Sequence, residues 1–501
     1  MRSASAPRRE FKPITRLGKL FNATGNSSND DGEEMMKKIL SSILESDYKL
    51  WGAFFLYPAA AALFVQLILL PLLFPQWHAG EGLLAGGDWI IFHQLAVSLA
   101  EKIQTQGWSA WELRPQGQAP SGIAAIFYVL FLPHPWVLIP LYAGLHATAV
   151  FVLFKIILRL TKNRVLSFMA ALPFWLYPSA MTWYSQIHKD SYLIAGALLI
   201  LLAWLRLGDA ATWKRWQNIL ISLVLMFAGA LLAWIARPYS MQMMQGVSLA
   251  VVLLESSLFA RRFWKREWRL WQTLMAVVIV WASVAALSPF TVGGINAEFS
   301  GQSGFVRTTQ HMASIDNNSS FNSQLIECNP PPPAWHHSGW PEFVEARAYV
   351  LAIVRERFRI CYPDAASNID VQIAFHNMND ILLYLPRAAE IAFLSPFPTD
   401  WFKPGSLPAN TVMLRVSGFE MLGVYLALAF LPYAVWRWRA RPDLWIILIF
   451  CSGMILIYGL VVANVGTLYR FRYGFLMTIV AVDLAAGFSF IQQSKSRKKP
   501  V

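Results

Sequence analysis

Residues 121–132 read SGIAAIFYVLFL, twelve positions without a charge, and whether they cross a membrane fixes the topology of everything that follows. Twelve helical residues cover about 18 Å at 1.5 Å each, against roughly 30 Å of bilayer hydrocarbon, so length favours a re-entrant or surface helix. Charge favours the same reading. If the segment does not cross, the run 135–158 goes from outside to inside and delivers Lys155, Arg159, Lys162 and Arg164 to the cytoplasm. Every later basic cluster then falls on that side too: Arg206, Lys214 and Arg215; Arg261, Arg262, Lys265, Arg266 and Arg269; Arg437, Arg439 and Arg441; Lys495, Arg497, Lys498 and Lys499. A crossing segment would put the first four outside, against the positive-inside rule.

Working outward, the chain is 56% apolar and 14% charged over 501 residues, a membrane composition that excludes a cytosolic enzyme and a nucleic-acid binder. The excess of 42 Lys+Arg over 29 Asp+Glu is read as inside bias. Residues 1–50 form a basic tail with Arg2, Arg8, Arg9, Lys12, Arg16 and Lys19. In it Met36, Ile39, Ile43 and Leu44 recur at helical spacing, as in a surface-lying or solvated helix. The first apolar run starts near residue 51 without a small-residue cleavage site, so it reads as a span and not as a signal peptide.

The fold class that follows is an all-α polytopic membrane protein with about ten transmembrane helices, juxtamembrane helices at the outer face and one large external loop. The spans are expected at 51–74, 135–158, 165–184, 191–207, 217–236, 239–259, 270–290, 411–435, 444–463 and 473–491, with both termini inside. A membrane module 51–290 thus includes a first outer loop at 75–134, segment 291–410 is external, 411–491 holds the last spans, and 492–501 is a basic cytoplasmic tail. Segment 291–410 carries 11 acidic against 7 basic residues, a net −4 in a chain of net +13, as an outer segment should. No internal repeat is visible.

The outer segment contains Pro330–Pro333, a helical stretch near 342–359, and an apolar stretch 380–395 interrupted by Arg387 and Glu390, read as a helix at the outer interface. It also contains Cys328 and Cys361, which can pair in an oxidising compartment. The third cysteine, Cys451, lies in a span. No Cys/His spacing resembles a zinc site, and His336-His337 reads as surface.

On this topology several ionisable residues stand at the outer ends of the spans: Asp88, His188-Lys189-Asp190, Arg237, and Arg470 with Arg472. Each alone reads equally well as a hydrated loop residue. As a set they place one carboxylate among several cations where the bundle converges, which suits an anionic, lipid-linked ligand. His93 and Glu101, eight residues apart, read as the solvated face of an amphipathic helix.

The order of motifs resembles a known family. Gly86-Gly87-Asp88 follows the first helix, then come Tyr177-Pro178, His188-Lys189-Asp190-Ser191 and Arg237-Pro238-Tyr239. The outer loop ends in Ser395-Pro396-Phe397-Pro398, and Asn464 to Tyr473, read as NVGTLYRFRY, precedes the last helix. Over residues 50–490 this is similar to bacterial GT-C superfamily glycosyltransferases, of the kind related to protein mannosyltransferases and lipid A aminoarabinose transferases. The resemblance implies an enzyme of the bacterial inner membrane. It would move a hexosyl or pentosyl group from a polyprenyl-phosphate-linked donor to a glycan, lipid or protein acceptor.

Carried over, Asp88 would be the catalytic base. Lys189, Arg237, Arg470 and Arg472 would hold the donor phosphate, with His188 in support and Asp190 either supporting the site or orienting Lys189. Many relatives carry an Asp-Glu pair where this chain has Asp88-Trp89, which leaves the base and metal use open. The residues show no dense carboxylate cluster for Mg²⁺ or Mn²⁺, so no cofactor is expected, a divalent metal being the alternative. A Gly-rich nucleotide loop is absent as well. Two other readings stay open: a surface-polysaccharide polymerase or ligase, and a transporter of lipid-linked glycans, which should show broken helices or a charge path through the bilayer.

Overall fold

The computed structural model describes residue 38 and residues 41–288, 305–308, 325–328, 330–361, 363, 365–405 and 408–497. The basic N-terminal tail, Met36 and Ile39 of the expected surface helix, residues 291–304 and the last four residues lie outside the described residues.

Apolar runs become helices because only a helix satisfies every backbone polar group without water. In chain order they are α1 (Asp47–Phe64), α2 (Trp89–Gln106), α3 (Ala119–Leu130), α4 (Ile139–Thr161), α5 (Arg164–Leu176), α6 (Asp190–Leu207), α7 (Trp216–Ala236), α8 (Pro238–Trp264) and α9 (Leu270–Ala286). After them come the strands β1 (Phe305–Thr308) and β2 (Leu325–Cys328), which pair antiparallel. The chain continues with α10 (Glu342–Cys361), α11 (Met378–Leu394), α12 (Pro408–Leu428), α13 (Leu431–Trp438), α14 (Pro442–Val461) and α15 (Val465–Arg497).

Among the described residues, eight helical stretches are long and apolar enough to cross a membrane: Asp47–Leu73, Pro135–Thr161, Asp190–Leu207, Trp216–Ala236, Pro238–Trp264, Pro408–Trp438, Pro442–Val461 and Val465–Gln493. Arg164–Leu176 and Pro178–Tyr184, bent by 57° at a proline that cannot continue the hydrogen-bond ladder, make a ninth if taken as one broken span. The chain is therefore a helical multi-pass membrane protein. The remaining expected span, 270–290, contains the 17-residue helix α9, shorter than the spans above. The segment 121–132 that decided the topology forms α3, twelve residues long and short of a span.

Two departures from expectation have physical causes. The first span ends in π-helical turns, Val65–Leu73, where Pro71 lacks the N–H that an α-helical turn would use. The last helix begins at Val465 and not near 473, so Arg470 and Arg472 sit in its first turns, not in a loop before it.

Helix α6 is the hub, buried along almost its whole length. It packs against α7 through Gly196 and Gly229. A Cβ on either would lie 2.5 Å from the other's carbonyl oxygen, so only glycine permits this approach. Lipid-facing residues of α7, such as Val224 and Phe227, are exposed in turn.

One end of the helices carries the connection 75–134 and the described segments 330–361 and 365–405. There Cys328 and Cys361 form a disulfide. Segment 365–373 is strapped to the turn between α14 and α15. Ile369 N–H donates to the Ala463 carbonyl at 3.1 Å, and Val465 N–H to the Ser367 carbonyl at 2.8 Å. Buried Arg355 of α10 completes the strap, donating to the carbonyls of Ile373, Leu460 and Asp370 while its guanidinium lies 4.5 Å from the Tyr384 ring centroid.

At the far end Arg159 closes α4 against its neighbours, reaching Asp209 at 3.0 Å and Asp443 at 3.1 Å. Arg441 donates to the carbonyls of Leu160 and Arg159.

Candidate functional site

The loop after the first span folds back on itself: Ala79 N–H donates to the Leu83 carbonyl and Ala85 N–H to the Trp77 carbonyl. It is docked by Gln186, a buried residue whose Oε1 accepts from Leu84 N–H at 3.0 Å and whose Nε2 donates to the Gly82 and Ser185 carbonyls. Gln66 of the first span donates to the same Ser185 carbonyl. These contacts bring the loop against the 185–189 connection. Gly86 has φ +93°, a left-handed turn that side chains resist. A Cβ on Gly87 would lie 2.1 Å from the Trp89 ring, which folds back over it and hydrogen-bonds the Leu84 carbonyl. The turn leaves Asp88 about half exposed at the start of α2.

From Asp88 a line of polar and charged groups runs inward through four separate stretches of chain. Arg470 Nη2 lies 3.7 Å from Asp88 Oδ2, longer than a hydrogen bond, and its Nη1 lies 3.1 Å from His188 Nε2. His188 Nδ1 meets Asp190 Oδ2 at 2.5 Å, and Asp190 Oδ1 meets Arg237 Nη2 at 2.6 Å. Arg237 closes the series, stacked 3.7 Å from the Phe471 ring centroid.

The Nε2 of His188 faces the Arg470 guanidinium, which only donates, and Nδ1 lies against the Asp190 carboxylate and accepts from the Asp190 N–H at 3.3 Å. Burial pushes the His188 imidazole below its usual pKa against the opposing pull of Asp190, in keeping with a neutral ring. Exposure falls along the line: 51% at Asp88, 26% at Arg470, and 5% or less at His188, Asp190 and Arg237.

The expected set is thus largely brought together, with its members in different roles. Asp190 holds His188 and Arg237. Arg237 is buried and its charge is offset by Asp190. Arg472 does not join the site: it is fully buried and its guanidinium donates to the carbonyls of Ile391, Ala392 and Ser395, 3.1 Å in the case of Ile391. Its charge is spent on the end of α11 and the turn that follows, so it is not a phosphate ligand. Lys189 is half-buried, with its ammonium 5.8 Å from the Phe92 ring centroid.

His93 and Glu101 lie on α2, but His93 is not a solvated residue. Its Nδ1 is 2.8 Å from the Tyr128 hydroxyl of α3, and burial lowers its pKa to about 4.

A second polar group went unread in the sequence. Glu420, buried in α12, accepts from the Ser179 N–H at 2.8 Å and from the Tyr469 hydroxyl at 2.5 Å. An acid within an apolar span was the available signal, and the same signal marks Glu255 in α8 and Asp483 in α15. The carboxylates of Glu255 and Asp483 have no hydrogen-bond partner among the described residues. Among the described residues, too, no three His, Cys, Asp or Glu side chains come together as metal ligands.

Comparison with known proteins finds no family model that matches the chain, no curated protein that resembles it and no solved structure that does so.

Proposed function

We propose that this protein is a membrane glycosyltransferase, moving a sugar from a polyprenyl-phosphate donor to a cell-surface glycan, lipid or protein acceptor at the outer face of a bacterial inner membrane. The observation that carries this reading is the graded line from buried Arg237 to exposed Asp88. It holds one guanidinium, Arg470, beside one accessible carboxylate. Asp88 takes the proton of the acceptor hydroxyl as the oxygen attacks the anomeric carbon. The bond from that carbon to the phosphate oxygen breaks, and Arg470 with Lys189 stabilises the charge left on the departing lipid phosphate. His188, Asp190 and Arg237 are positioning residues: they hold the Arg470 guanidinium without adding charge that competes for the phosphate. The disulfide at the loop-rich end fits an outer, oxidising compartment, with both termini in the cytoplasm.

A transporter of lipid-linked glycans is the second reading. It is favoured by the broken helix 164–184 and by Glu255 and Asp483, buried in spans without hydrogen-bond partners among the described residues.

Mass spectrometry of lipid-linked and finished surface glycans separates the two. Cells lacking the gene are complemented with wild type or with Asp88→Asn. Loss of one defined sugar, restored by wild type alone, supports the transferase. Complete units trapped on the inner leaflet sink it in favour of transport, and complete units that stay single point to a polymerase.

A further inference from the structure

The turn between α8 and α9 lies at the far end of the helices, some 40 Å along the 27-residue α8 from Arg237. It carries an open pocket of about 610 Å³ whose walls include Trp264, Trp268, Arg266, Glu267 and Arg269. One cation builds this turn and the others face outward. Arg262 donates to the Gly208 carbonyl at 2.8 Å and lies 5.0 Å from the Trp268 ring centroid, fixing one wall.

Arg261, Lys265, Arg266 and Arg269 are exposed around it, against a single acid, Glu267, for a net +3. Among the described residues Arg261, Lys265 and Arg266 make no side-chain hydrogen bond or ion pair. Arg266 holds φ +57°, a left-handed conformation suited to glycine, so the turn keeps a cation where a side chain is unfavourable. From the cavity, α9 presents Leu270, Trp271, Leu274 and Val278, all more than half exposed, as a continuous apolar strip.

The geometry points to a binding site for an anionic phospholipid of the surrounding leaflet. Its phosphodiester headgroup sits in the cavity beside Arg266 and Arg269, and its acyl chains lie along the exposed face of α9. Three features make the occupant a lipid: the positive charge matches an anionic headgroup, the two tryptophans suit the headgroup depth, and the apolar strip runs directly from the cavity. A free phosphate would use the cations alone. The inference is independent of the chemistry at the other end of the molecule.

The test uses the full-length protein in mild detergent and counts bound lipids by native mass spectrometry, with phosphatidylglycerol, phosphatidylcholine or inorganic phosphate added. Wild type is expected to bind phosphatidylglycerol at least about tenfold more tightly than phosphatidylcholine, each basic residue near the headgroup being worth about fivefold. The double variant Arg266→Gln, Arg269→Gln should lose most of that preference. Equal binding of the two lipids by wild type overturns the proposal whatever the variant does, and so does an unchanged preference in a folded variant. Displacement of phosphatidylglycerol by millimolar inorganic phosphate would assign the cavity to free phosphate and overturn the lipid reading.

Discussion

Both ends of this molecule carry arginines beside aspartates, yet the two clusters are built differently. In the Arg159 cluster at the far end every group is committed. Arg159 spans Asp209 and Asp443, Arg441 caps the carbonyls of Arg159 and Leu160, and the result ties α4, α14 and the end of α6 together. At the loop-rich end the line from Arg237 to Asp88 is tight where it is buried, at 2.5 and 2.6 Å, and slackens to 3.7 Å where it meets solvent. A cluster that closes on itself is a fastening. One that stays open at an exposed carboxylate has a group left over to act on something else.

That contrast can be broken in order of expected effect. Asp88→Asn should lower sugar transfer by about 10²–10⁴-fold, as loss of a general base does, with membrane levels unchanged on immunoblots. Normal product from this variant would remove the distinction between the two ends. Arg237→Gln leaves Asp190 buried with its charge uncompensated and should cost about 3–5 kcal/mol, read as a lower thermal midpoint in detergent. Adding Asp190→Asn should recover part of the loss. If the double variant is no more stable than the single one, Asp190 is not held by Arg237.

Arg159→Gln, at the closed end, should cost only about 1–2 kcal/mol and leave transfer per folded molecule unchanged. A selective loss of transfer would mean that the fastening also serves the chemistry.

Acidification gives the finest comparison. Burial depresses the His188 pKa, so the neutral ring favours the folded site above the ordinary histidine value near 6.5, and that contribution is lost as pH falls below it. Protonation would set an N–H against Arg470. Asp209 behaves differently: although burial opposes it, the Ala211 N–H and Arg159 hold its carboxyl below the usual range. Its contribution is present above about pH 3.8 and goes only at lower pH. Transfer per folded molecule should therefore hold as pH falls below about 6.5 and decline only once the lowered His188 pKa is passed, by which point stability has already begun to fall. A parallel decline in activity and stability would show that the ends titrate together.

Much of this architecture was legible because lipid imposes a simple code. Apolar runs of span length, basic residues gathered at one end and a short run at 121–132 were enough to place most helices, along with the convergence of Asp88, His188, Asp190, Arg237 and Arg470. The code fails where a charge is neutralised by backbone. Arg472 looked like a loop residue because arginine is costly in a span. It lies inside α15, satisfied by carbonyls 77 to 81 positions away that no local pattern announces. Gln186 was silent for a related reason: an amide that docks a loop through backbone groups has the same appearance in sequence as any polar residue in a turn. Roles within the line depended on which nitrogen faces which oxygen, and spacing alone cannot supply that.

The strap between segment 365–373 and the start of α15 makes a lever of the last helix. Val465 is held by Ser367, and Arg470 stands five residues further on, about 7.5 Å along the same rigid rod. Any force on the loop-rich domain that shifts Ser367 is delivered to the guanidinium beside Asp88 without passing through a flexible joint. On the proposed transferase reading, an acceptor that grips the loop-rich end would thus set the arginine at the moment it arrives, so that docking and readiness to react become a single mechanical event.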